Sequence, residues 1–264
     1  MPFLKDKSKL QSRSKKLEDM TKKNGPRHAV FTVPGDKYIG EWFNNTKNGK
    51  GFLLTRTYRL YEGDWGRNFR HGFGVLALRR ENKVFILQYR GDWKRGKESG
   101  FGARHYPDGG YYLGNFKNGK LHGYGQMWYA DGGFYDGDWR KDQRHGLGMW
   151  VRPDGNRYEG AWKCDLKHGK GRFFHLDSGQ MQDGIWQEDI CVYSFIIDIP
   201  FRQTAIEPTP SPIQDIEVIN VDTICNEQEL KALAGHIKSC LQFSQISLSP
   251  IQDEHDHHSD THIV

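Results

Sequence analysis

The chain has 264 residues, 36% of them apolar and 13% aromatic, with 31 Gly and 8 Trp, which excludes both a thick Leu-rich core and plain disorder. Its charge is uneven: residues 1–28 carry net +6, residues 29–197 net +7 and residues 198–264 net −8. No run of 18 apolar residues occurs, so no membrane-spanning helix is expected.

Residues 1–28 read as a basic, largely disordered leader. Its charges have no apolar run behind them, so no secretory signal is read. Asn24-Gly25 followed by 28–33 reads as an incomplete capping hairpin. Cys164, Cys191, Cys225 and Cys240 are too scattered for a zinc finger or a dense disulfide framework, which points to an intracellular, reducing compartment.

From Tyr38 a repeat sets in. Tyr-x-Gly-x-Trp/Phe recurs at Tyr38-Gly40-Trp42, Tyr61-Gly63-Trp65, Tyr89-Gly91-Trp93, Tyr112-Gly114-Phe116, Tyr135-Gly137-Trp139 and Tyr158-Gly160-Trp162. Eleven residues after each Tyr stands a Gly-x-Gly, from Gly49/Gly51 to Gly169/Gly171. The Tyr-to-Tyr steps are 23, 28, 23, 23 and 23, so one five-residue insertion falls in 75–88. A worn seventh copy near 182 keeps Gly184 and Trp186.

Residues at i, i+2 and i+4 share one face of a strand. Glycine inside a strand is unfavourable unless something approaches closely, so a ring of the neighbouring strand is expected over each bare glycine. Three residues after each Trp/Phe stand Asn45, Asn68, Gly96, Gly119, Asp142 and Asp165, which suit left-handed turns. Asp108-Gly109, Asp131-Gly132 and Asp154-Gly155 read as type I′ hairpin turns. The expected fold is therefore all-β: an elongated single-layer antiparallel β-meander over 29–201, built from tandem hairpins. At about 4.8 Å between strands it would run roughly 60–70 Å. Nothing in the sequence supplies a covering layer, so aromatic residues are expected to stay accessible on at least one face.

Residues 192–201 read as a closing strand, and 202–264 as an acidic, Pro-containing tail with a linker at 207–213. Asn226 with Glu229 resembles a helix cap, and Leu230, Leu233, Ile237 and Leu241 recur at helical spacing, predicting a short helix near 227–242. It either docks on the sheet or binds a partner.

These repeats resemble the MORN repeat (membrane occupation and recognition nexus), over residues 38–186. The resemblance implies a non-catalytic scaffold for partner proteins, in a family frequent in testis, sperm and cilia, with some members on membranes or acidic phospholipid. It implies a cytoplasmic place, with the acrosome or other vesicle membranes and the flagellum as alternatives.

Cations on the hairpin turns fall in one phase, including Lys94, Arg95, Lys117, Lys120, Lys141, Arg144, Lys163 and Lys167. They read either as a charge-protected edge or as a contact for anionic phospholipid or an acidic protein. His71, His122, His145 and His168 recur about 10 Å apart, too far for one metal with bonds near 2 Å. The run Glu254-His255-Asp256-His257-His258 reads as a solvated tail. No nucleophile elbow, P-loop or His-Glu-x-x-His is present, so neither an enzyme nor a cofactor is expected. The modest charge and the lack of an RNA-binding motif argue against specific nucleic acid. The exposed aromatic face leaves self-association open.

Overall fold

Period-two alternation is realised in every repeat. A computed structural model of the chain describes residues 12–81, 83–199, 217–218 and 221–246. Helix α1 (Arg13–Thr21) precedes β1 (Gly25–Phe31), β2 (Lys37–Phe43), β3 (Thr46–Leu54), β4 (Arg59–Gly66), β5 (Phe69–Arg79), β6 (Phe85–Lys94), β7 (Lys97–His105) and β8 (Tyr111–Lys117). There follow β9 (Lys120–Trp128), β10 (Phe134–Arg140), β11 (Gln143–Val151), β12 (Arg157–Lys163), β13 (Leu166–His175), β14 (Gln180–Gln187) and β15 (Ile190–Asp198). Each strand pairs antiparallel with the next, giving one open meander from β1 to β15. The short β16 (Glu217–Val218) leads to helix α2 (Val221–Ile246).

Glycines meet glycines across the whole ribbon. Gly40 pairs with Gly51, Gly51 with Gly63, and the row continues unbroken to Gly171 and Gly184. Onto this bare track lie the motif tyrosines. A Cβ added at Gly125 would overlap the Tyr112 hydroxyl, so only glycine leaves room there. The core is consequently one ring deep. Rings from Trp42 through Tyr38, Trp65, Tyr61 and onward to Tyr158 and Trp186 form a continuous edge-to-face ladder, with centroids 5.0–5.6 Å apart. That is the favoured geometry for aromatic pairs, worth about 0.5–1.5 kcal/mol each beyond their burial.

The motif tyrosines and four of the tryptophans have their polar ends satisfied within the array, whereas the buried Trp42 indole N–H has no partner among the described residues. The hydroxyls of Tyr38, Tyr61, Tyr89, Tyr112, Tyr135 and Tyr158 donate to the carbonyl three residues on, at 2.9–3.1 Å. The indoles of Trp65, Trp93, Trp139 and Trp162 donate to the carbonyls of Gly51, Gly74, Gly125 and Gly148 in the preceding repeat, at 3.0–3.2 Å. Each repeat is thus tied to its neighbour by a ring contact and a hydrogen bond, the nearest-neighbour logic of repeat arrays.

The turn assignment from Asp-Gly is corrected. At Asp108-Gly109, Asp131-Gly132 and Asp154-Gly155 only the glycine has positive φ, at 97°, 89° and 84°. Gly109 N–H donates to the Tyr106 carbonyl, and Tyr106 N–H to Gly110, a type I turn closed by a glycine bulge. Pro107 and Pro153 stand before two of these Asp residues, and a ring that fixes φ near −65° is incompatible with type I′. Type I′ geometry occurs at the opposite edge. There both central residues are left-handed, as in Arg67/Asn68 (φ 50°, 69°) and Lys141/Asp142 (φ 54°, 71°).

The flanks also differ from expectation. Within the leader, α1 is capped by the Ser12 hydroxyl, which accepts from Lys15 N–H at 3.3 Å, and buries no residue. Strand β1 starts inside the leader and pairs with β2, so the cap is a strand and not a separate Asn24-Gly25 hairpin. The closing strand is Ile190–Asp198, two residues earlier than read. Helix α2 is 26 residues long, and Asn226 lies inside it rather than at its cap. The linker at 207–213 and the acidic His run at 254–258 lie outside the described residues.

The five-residue insertion has a structural use. It lengthens β5 and β6 to 11 and 10 residues. Phe85 and Ile86 lie before the stretch of β6 that pairs with β7, and β16 pairs there, Glu217 with Ile86 and Val218 with Phe85. From that anchor α2 crosses the second face of the sheet. Cys225 and partly buried Ala232 pack on Ile39, Phe52, Leu60, Ala77 and Phe85. The expectation of an uncovered ribbon therefore fails at its N-terminal end.

Candidate functional site

The motif residues hold the sheet and present little to a partner. Tyr38, Tyr89, Tyr112, Tyr135 and Tyr158 have no exposed surface. Burial raises the hydroxyl pKa of all five, that of Tyr158 to about 12.

The basic edge divides in two. Lys94, Arg95, Lys117, Lys120, Lys141 and Lys163 are exposed. Arg144 and Lys167 are half-buried on the ring ladder. Arg144 stacks 4.3 Å from the Trp162 centroid and pairs with Asp165 at 3.2 Å, while Lys167 lies 5.5 Å from Tyr158. Lys47 and Arg70 take the same place in earlier repeats, 4.9 Å from Trp65 and 4.1 Å from Trp93. Desolvation lowers the pKa of Lys47, Arg70 and Lys167, as expected for cations laid on rings. These four cap the ladder, while the exposed six stand clear of it.

Between neighbouring turns the left-handed residues act as clasps. Asn68 Oδ1 accepts from Lys47 N–H at 2.7 Å, Asp142 from Leu121 at 2.8 Å, Asp165 from Arg144 at 2.9 Å and Asp189 from Lys167 at 2.8 Å. The sequence signalled their backbone conformation but not this use of the side chain.

The second face is where the repeats differ. The middle residue of each Gly-x-Gly points to it: Lys50, Phe73, Phe101, Tyr124, Leu147 and Lys170. Phe73, Phe101, Tyr124 and Leu147 are 47–68% exposed, a broken apolar stripe across β5, β7, β9 and β11. Acidic residues flank it. Asp64, Asp92 and Asp138 each accept the backbone N–H of a stripe residue, Phe73, Phe101 and Leu147, at 3.0–3.2 Å. This role of Asp64, Asp92 and Asp138 was not read from the sequence; an Asp directly before Trp in three of the six copies was the signal available. Beside the stripe, Tyr111, Trp128 and Phe134 make a closed apolar cluster.

Helix α2 lies at the N-terminal end of this stripe. Lys37 pairs with Glu229, Gln228 reaches Glu62 at 3.4 Å, and burial raises the Cys225 thiol pKa. Between α2 and β2–β5 runs a groove of 580 Å³, lined among others by Phe52, Phe73, Val75 and Ala232. Leu230 and Leu233 are 65% and 38% exposed, so these two positions, read from the helical spacing, are not the docking residues. Ile237 and Leu241 lie in the same helix, and their side chains are outside the described residues. His71, His122, His145 and His168 fall on β5, β9, β11 and β13, never on adjacent strands.

The family model for the MORN repeat matches residues 38–55, 61–78, 89–111, 112–134, 135–157 and 158–174. Over 238 residues the chain is 45% identical to MORN repeat-containing protein 3 of Xenopus laevis, covering 89% of this chain and 100% of that protein. A 51-residue stretch is 47% identical to the Bos taurus protein of the same name, covering 19% of this chain and 21% of that one. Among solved structures, the TCP10 domain of Danio rerio CPAP in complex with a STIL peptide aligns at 11% identity and TM-score 0.20, over 65% of this chain and 94% of that chain. That likeness is too slight to bear on the fold or the function.

Proposed function

The chain belongs to the MORN repeat family, and from that premise we propose that it is a non-enzymatic scaffold that tethers partner proteins along the second face of its ribbon. The observation that carries this reading is the exposed stripe of Phe73, Phe101, Tyr124 and Leu147 beside carboxylates. It changes from repeat to repeat while the opposite face does not, as a surface that selects partners requires. Leu230 and Leu233 on the outer side of α2 offer a second contact. The setting in testis, sperm or ciliated cells, in the cytoplasm, on vesicles such as the acrosome or along the flagellum, is proposed from the family resemblance alone.

A membrane adaptor is the second reading, favoured by the exposed cations Lys94, Arg95, Lys117, Lys120, Lys141 and Lys163. Each is worth about 1 kcal/mol against an anionic surface. Lys120 is already within 3.8 Å of Asp142, which weakens the row.

One experiment separates the two. The full chain, a Phe101→Ser/Leu147→Ser variant and a Lys117→Glu/Lys141→Glu variant are used to capture proteins from ciliated or germ-cell extract and are floated with anionic vesicles at physiological salt. Capture lost in the first variant and kept in the second supports the scaffold. Flotation lost in the second variant, with capture unchanged in the first, supports the adaptor. Resistance to detergent extraction together with microtubules would mark a third role, as a structural part of the axoneme.

A further inference from the structure

The second face carries two groups of apolar side chains with opposite exposure. Phe101, Tyr124 and Leu147 are 54–68% exposed, as side chains on a single bare sheet must be. Tyr111, Trp128 and Phe134 stand on the same face, nearer the edge that carries the Asp-Gly turns, and are 1%, 8% and 8% exposed. They are cross-strand neighbours: Tyr111 and Phe134 lie on either side of Trp128, with ring centroids 5.6 and 4.9 Å from it. Their apolar neighbours Ala103, Leu113, Met149 and Val151 belong to β7–β11 as well, while α2 and β16 pack at β1–β6. Rings this well shielded on an open face need a cover, and the cover must bring acceptors. The Tyr111 hydroxyl and the Trp128 indole N–H are buried with no hydrogen-bond partner among the described residues.

The course of the chain points to that cover. Asp198 lies opposite Gln180, and Ile199 N–H donates to the Gly179 carbonyl at 3.0 Å, so the chain leaves β15 at the edge of the Asp-Gly turns. It rejoins the sheet at Phe85 and Ile86, at the same edge nine strands away. There β5 occupies one side of β6, so β16 arrives on the side of β7. At about 4.8 Å per strand the gap is roughly 43 Å. The 18 residue steps from Ile199 to Glu217 reach about 56 Å at roughly 3.1 Å each, which leaves little slack. By proportion, residues 208–212 fall over β8–β11, where the three rings lie. These residues are Pro208, Thr209, Pro210, Ser211 and Pro212. Each proline fixes its own φ, and Glu207, Thr209 and Ser211 each precede one, so the stretch is confined to extended or polyproline II backbone. Such backbone leaves its carbonyls unpaired, and Pro-rich segments dock in aromatic-lined grooves. We propose that Tyr111, Trp128 and Phe134 form a proline-binding groove whose occupant is residues 207–213 of the same chain, with backbone carbonyls accepting from the Tyr111 hydroxyl and the Trp128 indole. The segment thereby ties the last strand of the array to the β6 anchor and to α2. It leaves Phe101, Tyr124 and Leu147 free, so the proposal is independent of what binds that stripe.

The test is hydroxyl-radical footprinting of the full chain, read residue by residue by mass spectrometry. In the wild type Tyr111, Trp128 and Phe134 should react slowly, and Phe101 and Tyr124 fast. Pro208→Gly/Pro210→Gly/Pro212→Gly removes the restraint on φ, so the three rings should approach the exposure of Tyr124 and react at least about fivefold faster. Trp139, buried in the ring ladder, should stay slow in both proteins. The substitutions lie outside the repeats, so circular dichroism should match the parent. Because the tether makes the docking intramolecular, wild-type protection should persist through a dilution of about 100-fold. Wild-type rings that react like Tyr124 overturn the proposal, as do rings that stay protected in the triple-glycine variant. A rise at Trp139 alongside the three rings would mean a loosened array rather than an emptied groove, and overturns it. Protection lost on dilution would give the groove to a second copy, and overturns it too.

Discussion

On one face of the sheet every repeat sets a tyrosine, a tryptophan or phenylalanine and a pair of glycines in the same geometry. On the other, the equivalent sites hold Lys50, Phe73, Phe101, Tyr124, Leu147 and Lys170. The first face is closed, since each motif tyrosine lies on a glycine of the adjoining strand and its hydroxyl is bonded to backbone. The second is partly roofed by α2 and otherwise open. Side chains that must fit one another are held to one answer, whereas side chains that meet solvent or a partner are free to diverge. Repetition therefore marks what builds this molecule, and departure from repetition marks what individualises it.

The sharpest way to break that contrast is Gly125→Val. Its branched side chain would occupy the space of the Tyr112 hydroxyl and ring, so the middle of the array should fail to close, with loss of the cooperative thermal transition. A transition like the parent's would show that the ring does not need the bare backbone. Trp139→Ala comes next. It removes ring contacts to Tyr112 and Tyr135 and the hydrogen bond to Gly125, and should cost about 3–5 kcal/mol by urea denaturation. Hydrogen exchange should place the damage first in β8–β11. Uniform loosening from β2 to β14 would contradict nearest-neighbour coupling.

Alkali should act on the closed face without any mutation. Burial raises the ladder tyrosines above the ordinary value of 10, Tyr158 to about 12. Because the folded state holds the neutral phenols, this stability is complete below pH 10. It is lost as pH rises from 10 through 12, where the unfolded chain ionises first. The urea midpoint should fall steeply over that window, together with the appearance of tyrosinate absorbance. A flat midpoint to pH 12 would deny the burial. The smallest expected effect belongs to the open face: Leu147→Ala should change stability by less than about 0.5 kcal/mol while weakening partner capture. A loss of several kcal/mol would mean that Leu147 belongs to the core.

Most of the closed face was legible because period two and a fixed 23-residue step leave few alternatives for Tyr135, Gly137 and Trp139. The turns were legible in position and misread in type. Asp154-Gly155 looks like a type I′ signal until Pro153 is counted, and several true type I′ pairs, such as Lys141/Asp142, carry no glycine to announce them. The docking of α2 could not be read from Leu230 and Leu233, because small residues, Cys225 and Ala232, make the contact. Nor could the insertion be assigned a purpose from its length. Its use depends on two distant residues, Glu217 and Val218, pairing with β6. Local pattern reports local geometry, and these contacts cross more than a hundred positions of sequence.

The clasped turns and the one-ring-deep core give the ribbon a particular response to load. A pull applied to its two ends runs across the strands, along the hydrogen bonds rather than in shear against them. The bonds between neighbouring hairpins are then loaded one after another and part like a seam, from an end inward. Each hairpin that yields lengthens the chain and relieves those still folded. A ribbon with this topology would lengthen in steps under such a load, one hairpin at a time.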